Sequence, residues 1–229
     1  MEDNEYWEMK SFIEKYCTKE WKEFIDFHKE IINFEKGDYI FKAGEETKGL
    51  YIIDSGKLKI TYKQFDGSDR LIRLAVEGDV LGHRGFGGTW KYPISALTLE
   101  KTQVSFIPVN IFETVAKVNP DFTYHLMMFF AEELRRSEAK IKHYPVKNLI
   151  ARSIYDNFKA FGFEENSSTK LSYTLSRKDI ASKAGTTYET VIRTIAELNK
   201  DNIIKIDGKA IHILDMKKLK EIGFPEYKQ

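Results

Sequence analysis

The 229-residue sequence predicts an α+β chain of three parts in series: an N-terminal antiparallel β jelly-roll barrel, a long helix, and a C-terminal winged helix-turn-helix. Three observations carry this reading. Between Phe34 and Pro108, glycines at 37, 44, 49, 56, 67, 78, 82, 85, 87 and 88 separate short runs of β-branched and aromatic residues, the texture of an all-β barrel. From Phe122 to His143 there is neither Gly nor Pro. From Leu175 to Leu214 two short helical patterns meet at Gly185, and two apolar β runs follow around Asp207-Gly208.

Composition narrows the class. Forty-two per cent of residues are hydrophobic, with 16 Phe and 12 Tyr, enough for a packed core. No run approaches the ~18 to 20 apolar residues of a membrane span. The acidic N-terminus "MEDNEYWEMK" lacks the apolar segment of a secretory signal, so a soluble, cytoplasmic protein is expected. The single cysteine, Cys17, excludes a disulfide within the chain, a Cys-rich zinc site and a four-cysteine iron–sulfur cluster. Histidines 28, 83, 125, 143 and 212 are scattered, so a barrel metal site is not expected; a haem, needing one or two ligands, stays open. Net charge is +1, divided as −3 over residues 1–145 and +4 over 146–229. That excess points weakly to a polyanion and fits ordinary solvation equally.

Taken in order, residues 5–30 read as helix, with Trp7, Phe12, Ile13, Tyr16, Trp21, Phe24, Ile25 and Phe27 at spacings of three and four. In the barrel, "FDGSD" (65–69) is a hairpin turn, because Asp-Gly tolerates positive φ. Pro120 and Asp121 suit the start of the long helix. Leu126, Phe130, Leu134, Ser137 and Ile141 keep one stripe along it, and "LMMFFA" is apolar nearly all round. Such a helix needs more than one burying surface: the barrel and a second copy across a two-fold axis, or a single compact monomer. Pro145 is the natural hinge, and a further helix runs over about 147–161.

In the last segment, Ser176 with Asp179 forms a capping box opening one helix, and Gly185 makes the turn. Thr186 is expected to cap the second helix, with Glu189 three residues on. Val191, Ile195 and Leu198 point inward, leaving Thr187, Tyr188, Glu189, Ile192 and Arg193 outside. A hairpin wing closes the domain. A second helix of this kind enters a DNA major groove by its N-terminal residues. Arg193 matches guanine O6 and N7, and Glu189 accepts from cytosine N4. Ser176, Lys178, Thr187 and Lys209 suit phosphate contacts, which position without reading sequence. A surface pair between Glu189 and Arg193 would satisfy the same spacing.

Over about residues 20–215 the chain resembles the Crp/Fnr transcription regulators. The resemblance lies in "GDYIFKAGEETKGLYIIDSGKLKI", in the helix after "NPDF", and above all in "LSRKDIASKAGTTYETVIRTIAEL". It implies a cyclic-nucleotide-binding-like barrel over 1–119 that senses a small effector, a dimerisation helix and hinge over 120–145, and a DNA-binding winged helix over 146–229. Glu189, Thr190 and Arg193 match the family's recognition-helix pattern. Arg177 joins the implied DNA-binding set, and Tyr188 stands where cyclic-AMP-dependent members read a further base with Arg. The implied partners are double-stranded promoter DNA, a second copy through Leu126, Phe130, Leu134 and Ile141, and RNA polymerase. The implied effector pocket involves Gly82, His83, Arg84, Ile94, Ser95 and Ser137. Cyclic-AMP-binding members carry Glu and Arg where His83 and Ile94 stand here. Isoleucine cannot neutralise a buried phosphate, so cyclic AMP is not the expected effector. Two other readings remain: a sensor module acting through protein contacts, and a cupin-like enzyme. Arg193 and the helix-turn-helix spacing count against the first, and the missing metal constellation against the second.

Overall fold

The computed structural model describes residues 9–139 and 144–225. Two compact bodies result. One consists of the chain up to Ile60 and from Ala75 through the long helix; the other consists of Thr61–Leu74 and the residues from His143 on.

The N-terminal helical pattern is two helices, α1 (Met9–Tyr16) and α2 (Lys19–His28), broken at Cys17-Thr18. Eight strands follow: β1 (Glu30–Phe34), β2 (Tyr39–Phe41), β3 (Gly49–Ser55), β4 (Lys57–Lys63), β5 (Asp69–Val76), β6 (Val80–Leu81), β7 (Ser95–Thr98) and β8 (Thr102–Pro108). They form two four-stranded sheets in the orders β1-β8-β3-β6 and β2-β7-β4-β5, the jelly-roll arrangement. β3 pairs antiparallel with β8 and β6, and β1 with β8.

Alternation along β3 divides the core. Tyr51 and Ile53 point into the barrel with Phe41, Leu58, Ile60, Ala75, Leu81, Tyr92, Ala96 and Val104. Leu50 and Ile52 point the other way, against α3 (Val109–Val118) and α4 (Pro120–Ala139), meeting Phe112, Val115, Phe122, Leu126 and Phe129. A period of two on the strand thus serves both layers at once. Cys17 is buried in the second layer, and burial raises its thiol pKa to about 11 against a smaller opposing effect of Lys22.

α4 spans 20 residues, about 30 Å at 1.5 Å per residue. Its faces differ from the expected stripe. Leu126 is 7% exposed and belongs to the core against the barrel, and Phe130 packs on the same cluster, whereas Leu134 is 63% exposed. The reason is angular. Residues four apart advance 400° round a helix, so a 4-4 series drifts off any one face. Tyr124, Met127, Ala131 and Leu134, spaced three, four and three, form the exposed apolar stripe instead. Ile141 lies outside the described residues, as does the Ser137 side chain.

The second body opens with α5 (Val146–Phe161), which starts directly after Pro145 and buries Ile150, Ala151 and Ile154. α6 (Arg177–Ala184) and α7 (Tyr188–Lys200) follow, then the hairpin β9 (Ile204–Asp207) and β10 (Ala210–Ile213), then α8 (Met216–Gly223). β9 and β10 pair antiparallel with Asp207 opposite Ala210, so the wing loop is Gly208-Lys209 and Asp207 ends the strand. No described helix is long and apolar enough to cross a membrane.

Candidate nucleic-acid interface and sensor cassette

The helix-turn-helix is fixed by backbone caps. Ser176 Oγ accepts from the Asp179 amide at 3.0 Å and donates to Asp179 Oδ2 at 2.6 Å. Gly185 takes φ +64°, the left-handed conformation that ends α6 without steric cost. The cap of α7 is Thr187, whose Oγ1 accepts from the Thr190 amide at 3.2 Å. Thr186 is not the cap: its amide instead bonds to the Ala181 carbonyl within the turn. Val191, Thr194, Ile195 and Leu198 bury one face of α7. The other face presents Tyr188, Glu189, Ile192 and Arg193 to solvent, with Thr190 half-buried beside them. Lys178 on α6 and Lys209 at the wing tip are also exposed.

Three expected contact residues have structural work as well. The hydroxyls of Ser176 and Thr187 are engaged in capping, because each sits one residue before its helix where the free amides need an acceptor. Arg177 is half-buried, and its Nη1 donates to the Lys209 carbonyl at 3.3 Å, joining the start of α6 to the wing. Burial lowers its pKa from the ordinary value, and the nearby Tyr188 opposes this.

Residues that the sequence reading passed over hold this surface in place. Asn157 on α5 is buried; its Nδ2 donates to the Tyr173 carbonyl at 2.9 Å and its Oδ1 accepts from the Leu175 amide at 3.0 Å. It thereby aims the segment leading into Ser176. Thr174 Oγ1 accepts from the Ile211 amide at 3.3 Å, tying that segment to the wing, and Lys183 pairs with Asp156 at 3.0 Å. A lone Asn in an amphipathic helix carries no periodic signal, so only its partners reveal it.

The cassette is built differently. Gly82 has φ +92° and leads into a single 3₁₀ turn, His83–Gly85. His83 is 8% exposed, its ring 5.6 Å from Phe129 and 5.9 Å from Phe130 of α4. Arg84 and Lys91 point to solvent. Ile94 packs on the barrel core, and Ser95 Oγ accepts from the Ala43 amide at 2.9 Å. The structure therefore brings Gly82, His83, Ile94 and Ser95 to the cassette and turns Arg84 away. None of these four residues is a Lys or Arg, the Ser95 hydroxyl is engaged by the Ala43 amide, and the His83 ring lies beside Phe129 and Phe130, so the four supply none of the arginine-type donors that pair with a phosphate. Among the described residues no three His, Cys, Asp or Glu side chains gather as a metal site.

Residues 31–119 match the cyclic nucleotide-binding domain model, and residues 150–222 match the Crp-like helix-turn-helix domain model. The chain belongs to the Crp/Fnr family of DNA-binding transcription regulators. This Crp/Fnr chain is 28% identical over 192 residues to the fumarate and nitrate reduction regulatory protein of Vibrio cholerae, covering 82% of this chain and 76% of the relative. It is 25% identical over 191 residues to the CRP-like cAMP-activated global transcriptional regulator of Mycobacterium tuberculosis, covering 82% and 85%. In fold it is similar to a Crp/Fnr-family regulator from Eubacterium rectale, with a TM-score of 0.73 at 16% identity over 92% of this chain and 97% of that one. FixK2 of Bradyrhizobium japonicum gives 0.71 at 19% identity over 85% and 96%.

Proposed function

We propose that this Crp/Fnr regulator is a cytoplasmic homodimer that reads a two-fold promoter operator, acts on transcription with RNA polymerase, and is controlled through its barrel domain by a small effector other than cyclic AMP. The observation that carries the reading is the outward face of α7. Its inner face is clamped by Val191, Ile195 and Leu198, so Glu189 and Arg193 are held out on a rigid element rather than on a loop. Arg193 is the guanine reader, Glu189 the cytosine reader, and Tyr188 the residue that sets this operator apart from those of cyclic-AMP-dependent members. Lys178 and Lys209 flank the helix as phosphate contacts. The exposed stripe Tyr124, Met127, Ala131 and Leu134 supports a dimer through α4, and a dimer gives two recognition helices for two half-sites.

The experiment is a fluorescence-anisotropy titration of labelled promoter fragments against random DNA over a range of salt. The reading expects affinity that falls steeply with salt, plus an excess for one palindromic sequence. Equal affinity for every sequence at every salt concentration defeats it.

A further inference from the structure

We propose that Tyr92 is the resident occupant of the barrel: its ring fills the space beneath the cassette, so no cyclic mononucleotide enters there. The proposal rests on the barrel being the sensing half of the regulator. It goes beyond the loss of Arg and Glu from the cassette, because it names what stands in the vacated space.

The cassette is seated on the chain's own residues. Tyr92 is 2% exposed and its ring stacks on Phe41 with centroids 4.1 Å apart. Its hydroxyl accepts from the Lys48 amide at 3.1 Å and donates to the Gly49 carbonyl at 3.3 Å, so ring and hydroxyl are both satisfied within the barrel. The cassette turn closes down on the same group. A Cβ added at Gly82 would stand 2.6 Å from the Gly49 carbonyl oxygen and 3.4 Å from Tyr92 Cε1. One at Gly85 would stand 3.0 Å from Tyr92 Cδ1 and would overlap Thr47 Oγ1, which itself donates to the Gly85 carbonyl at 3.1 Å. The neighbouring segment is sewn down by backbone bonds: the Tyr92 amide to the Glu45 carbonyl at 2.9 Å, and the Gly44 amide to the Tyr92 carbonyl at 2.8 Å. On the far side Ile94 packs into the same core as Tyr92. A ribose phosphate held between Gly82 and Ser95 would have to displace a stacked, doubly hydrogen-bonded ring. Interiors packed this closely do not yield such space without rearrangement.

The test is chemical rescue. Tyr92→Gly removes the side chain whose free equivalent is p-cresol, and Tyr92→Ala removes the ring that phenol replaces. Melting curves and calorimetry are recorded for the full chain and both variants with millimolar p-cresol, phenol, cyclic AMP and cyclic GMP. The proposal expects no saturable response from the unaltered chain to any of the four. It expects a lower Tm in both variants, and a saturable rise of several degrees when p-cresol is given to Tyr92→Gly and phenol to Tyr92→Ala, as a vacated apolar cavity takes up a matching ring. Folded variants that ignore both phenols overturn it, and so does saturable cyclic-nucleotide binding by the unaltered chain. The second measurement needs no variant, so it decides the matter even if the truncated chains do not fold. Neither readout uses DNA, so a failure here leaves the DNA-binding reading standing and is distinguishable from its failure.

Discussion

The helix-turn-helix and the cassette are both glycine-marked turns between short elements, yet they handle their polar side chains in opposite ways. In the helix-turn-helix the backbone ends are satisfied by Ser176, Thr187 and Gly185, and Glu189 and Arg193, the proposed base readers, remain exposed. In the cassette His83, Tyr92 and Ser95 are themselves buried, and Tyr92 and Ser95 are bonded to the β2–β3 connection. One turn presents its chemistry outward, and the other consumes it in holding the barrel shut. A family pattern therefore transfers function only where the matching side chains still face a ligand.

The largest effect expected in breaking this comparison is at Gly85. Gly85→Val forces a side chain into Thr47 and Tyr92, at a cost of roughly 3 kcal/mol of overpacking. Urea unfolding followed by tryptophan fluorescence measures it, and an unchanged midpoint would show that the turn is not seated on Thr47. Next comes the reading surface. Arg193→Ala removes about 1 to 3 kcal/mol from operator binding while sparing random DNA, and Lys178→Ala weakens both alike and lowers the salt slope by about one. If both variants lose binding to all sequences equally, Arg193 is a phosphate contact.

The fold was largely legible in advance, and the reasons are local. Glycine spacing marks the barrel, and the capping pattern at Ser176 with Gly185 marks the helix-turn-helix, because these signals lie in consecutive residues. The α4 faces were not legible, since 126–131 is apolar nearly all round and periodicity cannot choose among faces; contact with β3 and α3 decides that Phe122, Leu126 and Phe129 turn inward. Thr186 and Thr187 are chemically alike as caps, and only the path of the turn selects Thr187. Tyr92, Asn157 and the Arg177 link to the wing rest on partners 16 to 44 residues away in sequence, beyond any spacing rule.

That correction on α4 sharpens the comparison at intermediate scale. The dimer proposed through α4 is expected to weaken about tenfold or more in dissociation constant in Met127→Glu with Leu134→Glu, without a lower Tm of the fold, as both side chains are exposed. Leu126→Glu is expected to lower the Tm instead, because Leu126 is buried against the barrel. Sedimentation equilibrium with parallel melts separates the two, and identical behaviour of the variants would return the stripe to its original register. A separate check on burial in the barrel layer is at Cys17. With its thiol pKa raised from 9.0 to about 11 by burial, the thiolate fraction at pH 8 falls roughly a hundredfold, so alkylation of native protein is expected to be that much slower than of unfolded chain and to accelerate as pH climbs toward 11. Equal rates would place Cys17 at an open, reactive site.

The most direct test of the contrast is one anisotropy titration of the purified protein on operator and random DNA, with and without millimolar cyclic AMP. The account predicts that the preference for operator is present without the nucleotide and is unchanged when it is added. A preference that appears only with cyclic AMP would show that the cassette still holds a ligand and that Tyr92 gives way to it.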